Sequence, residues 1–196
     1  MTQPSTPAGA APGTTARHDL WKPVLLRAAA ALVFGAVTVF WTSPSVEVMG
    51  WAGGLYLLAA GVVSLRTVPA AGFAQNSAAG KLLSAAGAVL AGAGFAVLLL
   101  HSDLLFGVIA ALGLGAAGIL ELACGLQHRG RHVLARDWIA SGVIGIGTAV
   151  LLPFFISLGA HALLGVAGGG AIISGVLWVL SGLTLRHDAR AGAGKP

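Results

Sequence analysis

Residues 24–41, VLLRAAAALVFGAVTVFW, run into Thr42-Ser43-Pro44-Ser45, and residues 46–65, VEVMGWAGGLYLLAAGVVSL, then return to a basic stop at Arg66. Each apolar run is long enough to cross a bilayer as a helix: at 1.5 Å per residue the first spans roughly 27 Å. Pro44 lies in the turn, where its missing N–H is tolerated. The stretch therefore predicts a membrane hairpin, and the same plan recurs twice downstream.

Composition agrees with that reading. Hydrophobic residues make up 57% of the 196 and charged residues only 9%, against about 25% charged in ordinary soluble domains. Mean hydropathy is +0.90. Such a chain lacks the charge to cover a water-facing surface, so the class is integral membrane and all-α. The single cysteine, Cys124, excludes an internal disulfide and a multi-cysteine metal site.

Around the organising hairpin the chain divides into three parts. Residues 1–20 are rich in Pro, Ala, Thr, Ser and Gly and read as a disordered tail. That tail is not a classical signal peptide, and the first apolar run is expected to act as an uncleaved anchor. Residues 21–186 form the transmembrane domain, with spans expected at 24–41, 46–65, 82–100, 104–126, 138–158 and 162–185. Trp21 suits the interfacial aromatic belt. Residues 66–81 read as a loop, Pro153 as a kink or early stop near the outer end of the fifth span, and residues 187–196 as a flexible tail.

The chain carries eleven Lys and Arg residues, all in the N-terminal segment, the second and fourth connections, the C-terminal tail, or at the inner end of the first span (Arg27). The first, third and fifth turns hold none. By the positive-inside rule both termini face the cytoplasm and the chain crosses six times. The basic residues are thinly spread, without interleaved aromatics, and so read as topology signals and not as a nucleic-acid surface, despite a pI near 10.4. The expected partners are the lipid bilayer and a second copy of the chain or another membrane protein.

Gly61, Gly118 and Gly175 share a constant offset of 57 residues (61 to 118 to 175), as do Gly54, Ala111 and Gly168, and Gly35, Gly92 and Ala149. GILELACGLQHR, starting at Gly118, aligns without a gap with GVLWVLSGLTLR, starting at Gly175. Each copy starts and ends inside, which predicts three parallel hairpins about an axis along the membrane normal, unlike inverted-repeat transporters. Small residues four apart mark close helix approach: Ala31/Gly35, Gly50/Gly54, Gly87/Ala91, Ala111/Gly115, Ser141/Gly145 and Gly165/Gly169. The glycines expected to pack helices are Gly35, Gly50, Gly54, Gly61, Gly118, Gly165, Gly169 and Gly175.

Two ionisable groups lie within spans, Arg27 and Glu121, at similar shallow cytoplasmic depth. Charge in a span is costly and marks function by default, so the two form a candidate polar pair. The alternative is that Arg27 snorkels to the headgroups while Glu121 is hydrogen-bonded inside the bundle. On the outer face His101, Asp103 and His161 are candidates for a pH-responsive cluster. His128 and His132 have metal-ligand spacing but no third ligand. Neither cofactor nor metal is expected. H-E-x-x-H, paired-cysteine and phosphate-loop motifs are all missing, and Ser174 with His161 does not match an intramembrane serine protease, so no enzyme activity is expected.

Trp21, Leu25-Leu26-Arg27, Phe34-Gly35, Pro44 and GLYLLAAGV (Gly54 to Val62) together resemble the first hairpin of the HdeD-like acid-resistance membrane proteins. Gly118-Ile-Leu-Glu121 and Arg136-Asp137-Trp138 are similar to that family's fourth helix and its entry into the fifth; His101-Ser102-Asp103 departs from the proline usual in that turn. The resemblance covers residues 21–186. It implies six spans in the bacterial inner membrane and an association with acid or general stress, without an established molecular activity. Two functions follow as expectations: a non-enzymatic protein that supports stress tolerance through assembly or partner binding, or a small transporter or channel with a polar path near Arg27 and Glu121.

Overall fold

A computed structural model describes residues 19–193, all of them helix, turn or short connection. The tail expected to be disordered lies outside the described residues as far as position 18. The helices are α1 (Trp21–Phe40), α2 (Val46–Ala70), α3 (Ala78–Leu99), α4 (Asp103–Gln127), α5 (Ala135–Leu151) and α6 (Gly159–Ala193), with a 3-10 segment, Leu152–Leu158, between the last two.

Local chemistry sets several of the starts. The Ser45 Oγ accepts the Val48 N–H at 3.2 Å to open α2, and Glu47 in the first turn suits the positive end of the helix dipole. Ser77 does the same for α3 through the Gly80 N–H at 3.0 Å. Two boundaries differ from expectation. Helix α2 continues past Leu65 and carries Pro69 inside its final turn, where few backbone bonds are lost, so the connection shrinks to residues 71–77. Helix α6 continues through the stretch expected to be a flexible tail and reaches Ala193, with residues 194–196 outside the described ones.

Six separate spans were expected; among the described residues five helical stretches are long and apolar enough to cross a membrane. The difference lies at the end of the chain, where Ala135–Ala191 is one uninterrupted helical stretch of 57 residues. Pro153 stops α5 after 17 residues, and the chain tightens into the 3-10 turn instead of leaving the helical state. It then reverses at Gly159, whose φ of +80° falls in the left-handed region that glycine tolerates. The Ser181 Oγ donates to the Asp137 Oδ2 at 2.7 Å, and Gly170 faces the Thr148 side chain. Both pairs centre on residue 159, so α5 and α6 run antiparallel.

The helices form a closed ring in chain order, α6 returning to α1, with α2, α4 and α6 also touching one another across the centre. The closest packing does not fall within the expected hairpins. It joins α2 to α3, α4 to α5, and α6 to α1. A Cβ on Gly61 would meet the Ala91 N at 2.4 Å and the Gly87 O at 2.5 Å; on Gly118, the Gly142 O at 2.9 Å and the Ile146 N at 3.0 Å; on Gly175, the Leu32 and Ala31 side chains. Positions 57 residues apart thus occupy matching points in the three tight pairs. At Gly61 and Gly118 glycine is required because a neighbouring backbone stands where a side chain would, while at Gly175 the Leu32 and Ala31 side chains fill that space.

Gly35 against Ile172 and Gly54 against Leu98 and the Gly94 O also pack helices as expected. Gly50 instead lies against the His101 ring, and nothing lies within 4 Å of a Cβ on Gly165 or Gly169. The four-residue spacing of that last pair holds on the helix, but its face meets no neighbour. The interior is packed by Met49, Leu57, Val97, Phe106 and Leu163, with a second cluster of Val24, Val68, Leu83, Leu134, Trp138 and Trp178 nearer the termini. The outward faces are apolar: Phe40 is 83% exposed and Leu112 69%, the pattern lipid requires and water penalises.

A buried ion pair across four helices

The two charges of the candidate pair meet. The Arg27 Nη2 on α1 donates to the Glu121 Oε1 on α4 at 2.5 Å, with the side chains only 14% and 4% exposed. The other carboxylate oxygen, Oε2, accepts a short hydrogen bond from the Ser141 Oγ on α5. The Arg27 guanidinium lies over the Trp178 ring on α6, 4.7 Å from its centroid. Each partner is thereby satisfied within the bundle: both carboxylate oxygens accept, and the cation has an ion pair and an aromatic face.

The site sits at the repeating junctions. Glu121 is 57 residues from Ser64 and from Trp178, and Arg27, Ser84 and Ser141 are related by the same offset. Ser141 therefore meets Glu121 between α4 and α5 as Arg27 meets Trp178 between α6 and α1. At the third junction, Ser64 is buried and its Oγ has no hydrogen-bond partner among the described residues. The offset that aligns Glu121 with Trp178 also relates this second set, which sequence reasoning missed; in the sequence Ser141 stands out only as a small packing residue.

A cavity of about 40 Å³ adjoins the pair, lined by Arg27, Tyr56, Glu121, Ser141, Ser174 and Trp178 among others. A second, of about 20 Å³, shares Tyr56, Leu114, Gly145 and Ser174 with the first and reaches Thr148. Tyr56 stacks on Phe34 at 4.4 Å between centroids, the ring planes nearly parallel. Neither Tyr56 nor Ser174 figured among the expected site residues, because a lone hydroxyl in an apolar run gives no sign of which way it faces.

Among the described residues no hydrogen bond or ion pair links His101, Asp103 and His161. His101 is exposed and packs beside Trp51, rings 5.9 Å apart. His161 is also exposed. Asp103 opens α4 with its Oδ1 buried and unbonded among the described residues, and its Oδ2 points to the Gly159 turn.

At the other end, His128 and His132 clamp the two long connections together. The His132 Nε2 lies 3.1 Å from the Ala71 O, and its Nδ1 accepts the Leu134 N–H at 3.1 Å. Phe73 sits against both imidazoles and the Trp138 ring. The His128 Nδ1 lies 3.0 Å from the Cys124 O. Among the described residues no group of three or more His, Cys, Asp and Glu could hold a metal ion.

Comparison with protein-family models, with curated proteins and with solved structures returned no match.

Proposed function

We propose that the chain is a multi-pass protein of the bacterial plasma membrane, HdeD-like in kind. In this reading it crosses six times with both termini cytoplasmic and supports acid or general stress tolerance through assembly or partner binding, without enzymatic activity. The reversal at Gly159 supports the sixth crossing, since α5 and α6 lie antiparallel. The matching contacts of Gly61, Gly118 and Gly175 support three repeated parallel hairpins.

The observation that carries the non-transport reading is the engagement of Glu121. Both of its oxygens are held by Arg27 and Ser141, and the cavities beside the pair are narrow. A transported solute needs a continuous polar path, and cavities of about 40 and 20 Å³ admit nothing larger than a few water molecules. The adjoining of those two cavities favours one second reading, a small transporter or channel with its path near Arg27 and Glu121.

Flux in proteoliposomes separates the two. Vesicles holding the wild-type chain should leak protons and small solutes no faster than protein-free vesicles, and Glu121→Gln should change nothing. Wild-type flux that Glu121→Gln abolishes would replace the first reading with the second.

A further inference from the structure

We infer that the two joined cavities are a water-binding site, a short file of ordered waters running from the Glu121 ion pair to Thr148. Size sets the first condition. A water needs at least 10–15 Å³ of such space, so the lower cavity, about 40 Å³, holds about three and the upper, about 20 Å³, about one.

Chemistry sets the second condition. Apolar cavities of this scale stay dry, and a buried water needs two to four polar partners. Here the walls carry the Tyr56 and Ser174 hydroxyls, both shared by the two cavities. Among the described residues neither hydroxyl has a hydrogen-bond partner in the protein; both residues are half-buried, and a hydroxyl that faces a cavity without a partner forgoes the bonds water would supply. Glu121 and Ser141 keep acceptor lone pairs below, the Ser141 O–H being spent on Glu121, and Arg27, which lines the same cavity, has N–H donors to spare; the Thr148 Oγ1, which donates to the Ile144 O at 2.9 Å, keeps an acceptor lone pair for the uppermost water. Bridging waters satisfy these groups together, where a dry interior would leave two hydroxyls unpaired.

The file stops short of the outer surface. Above Thr148 the 3-10 segment closes the bundle, with Leu152 fully buried and Phe155 and Ile156 packed against the core. The site is thus a hydrated dead end, and its existence rests on neither reading of transport.

Hydroxyl-radical footprinting of the full chain in lipid nanodiscs tests it, because radicals made from bound water label the nearest side chains. Tyr56 and Phe34 are stacked aromatic neighbours, yet Phe34 lines neither cavity. Tyr56 should be oxidised several-fold faster than Phe34, and Ser174→Val, which fills the shared wall, should bring the two rates together. Equal slow rates in the wild type would overturn the inference, as would fast Tyr56 labelling that survives Ser174→Val. If Ser174→Val disturbs folding, Ser174→Ala removes the hydroxyl without adding bulk; Tyr56 labelling should then fall several-fold, and unchanged labelling would overturn the inference.

Discussion

Replacing Arg27 with Met should destabilise the bundle by about 3–5 kcal/mol, the range found when one partner of a buried ion pair is removed. Glu121 would be left with Ser141 as its one partner in the protein while 4% exposed, and its short stem cannot carry the charge to bulk water. Glu121→Gln should cost less. The amide still accepts from Ser141, and Arg27, six residues into α1, can extend its stem toward the headgroups. The double variant Arg27→Met with Glu121→Leu should recover most of the loss, since a buried pair and a well-packed apolar pair of similar volume are often nearly equal in energy. Unfolding titrations in mixed micelles, run as a double-mutant cycle, measure all four states. Equal small losses for both single variants, with no coupling between them, would show that the pair does not hold the helices together.

Gly61→Val should come close to that effect by another route. The new side chain would drive into the Ala91 N and Gly87 O, at 2.4 and 2.5 Å from the Cβ, and a backbone cannot rotate out of the way as a side chain can. Separating α2 from α3 loses close contact along both helices, so the cost should lie at or above the top of the usual overpacking range, about 3 kcal/mol. Gly165→Ala is the matched control: nothing lies within 4 Å, and its effect should stay within about 0.5 kcal/mol. The same micelle titration reads both. A stable Gly61→Val protein beside a damaged Gly165→Ala protein would invert the account of how the ring is packed.

The contrast between these glycines shows how far the sequence could be read. Hydropathy located the helices because lipid imposes a minimum apolar length, and the positions of Arg27 and Glu121 were legible because charge inside a span stands out. Spacing alone did not reveal which face of a helix meets a neighbour, so Gly61 and Gly169 looked alike. Nor did adjacency in the chain reveal the tightest pairs. A short turn guarantees that two helices are neighbours, but the smallest side chains face the helix beyond. Ser141, Tyr56 and Ser174 were hidden for a similar reason: their role depends on which hydroxyls converge on one point. The turn at Gly159 was half legible, since Pro153 signalled a stop, but no polar break announced that the helical state would continue through it.

That turn decides the central claim. If Ala135–Ala191 folds back at Gly159, its middle lies on the outer face and its end returns to the cytoplasm. In a Cys124→Ser background, single cysteines at Ser43, Ser102, Ser157, Arg131 and His187 can be offered a membrane-impermeant thiol reagent on intact cells. The account predicts labelling of Ser43→Cys, Ser102→Cys and Ser157→Cys, with Arg131→Cys and His187→Cys reacting only after the cells are opened. Labelling at His187→Cys from outside, with Ser157→Cys protected, would mean that the last stretch crosses once, and would contradict it.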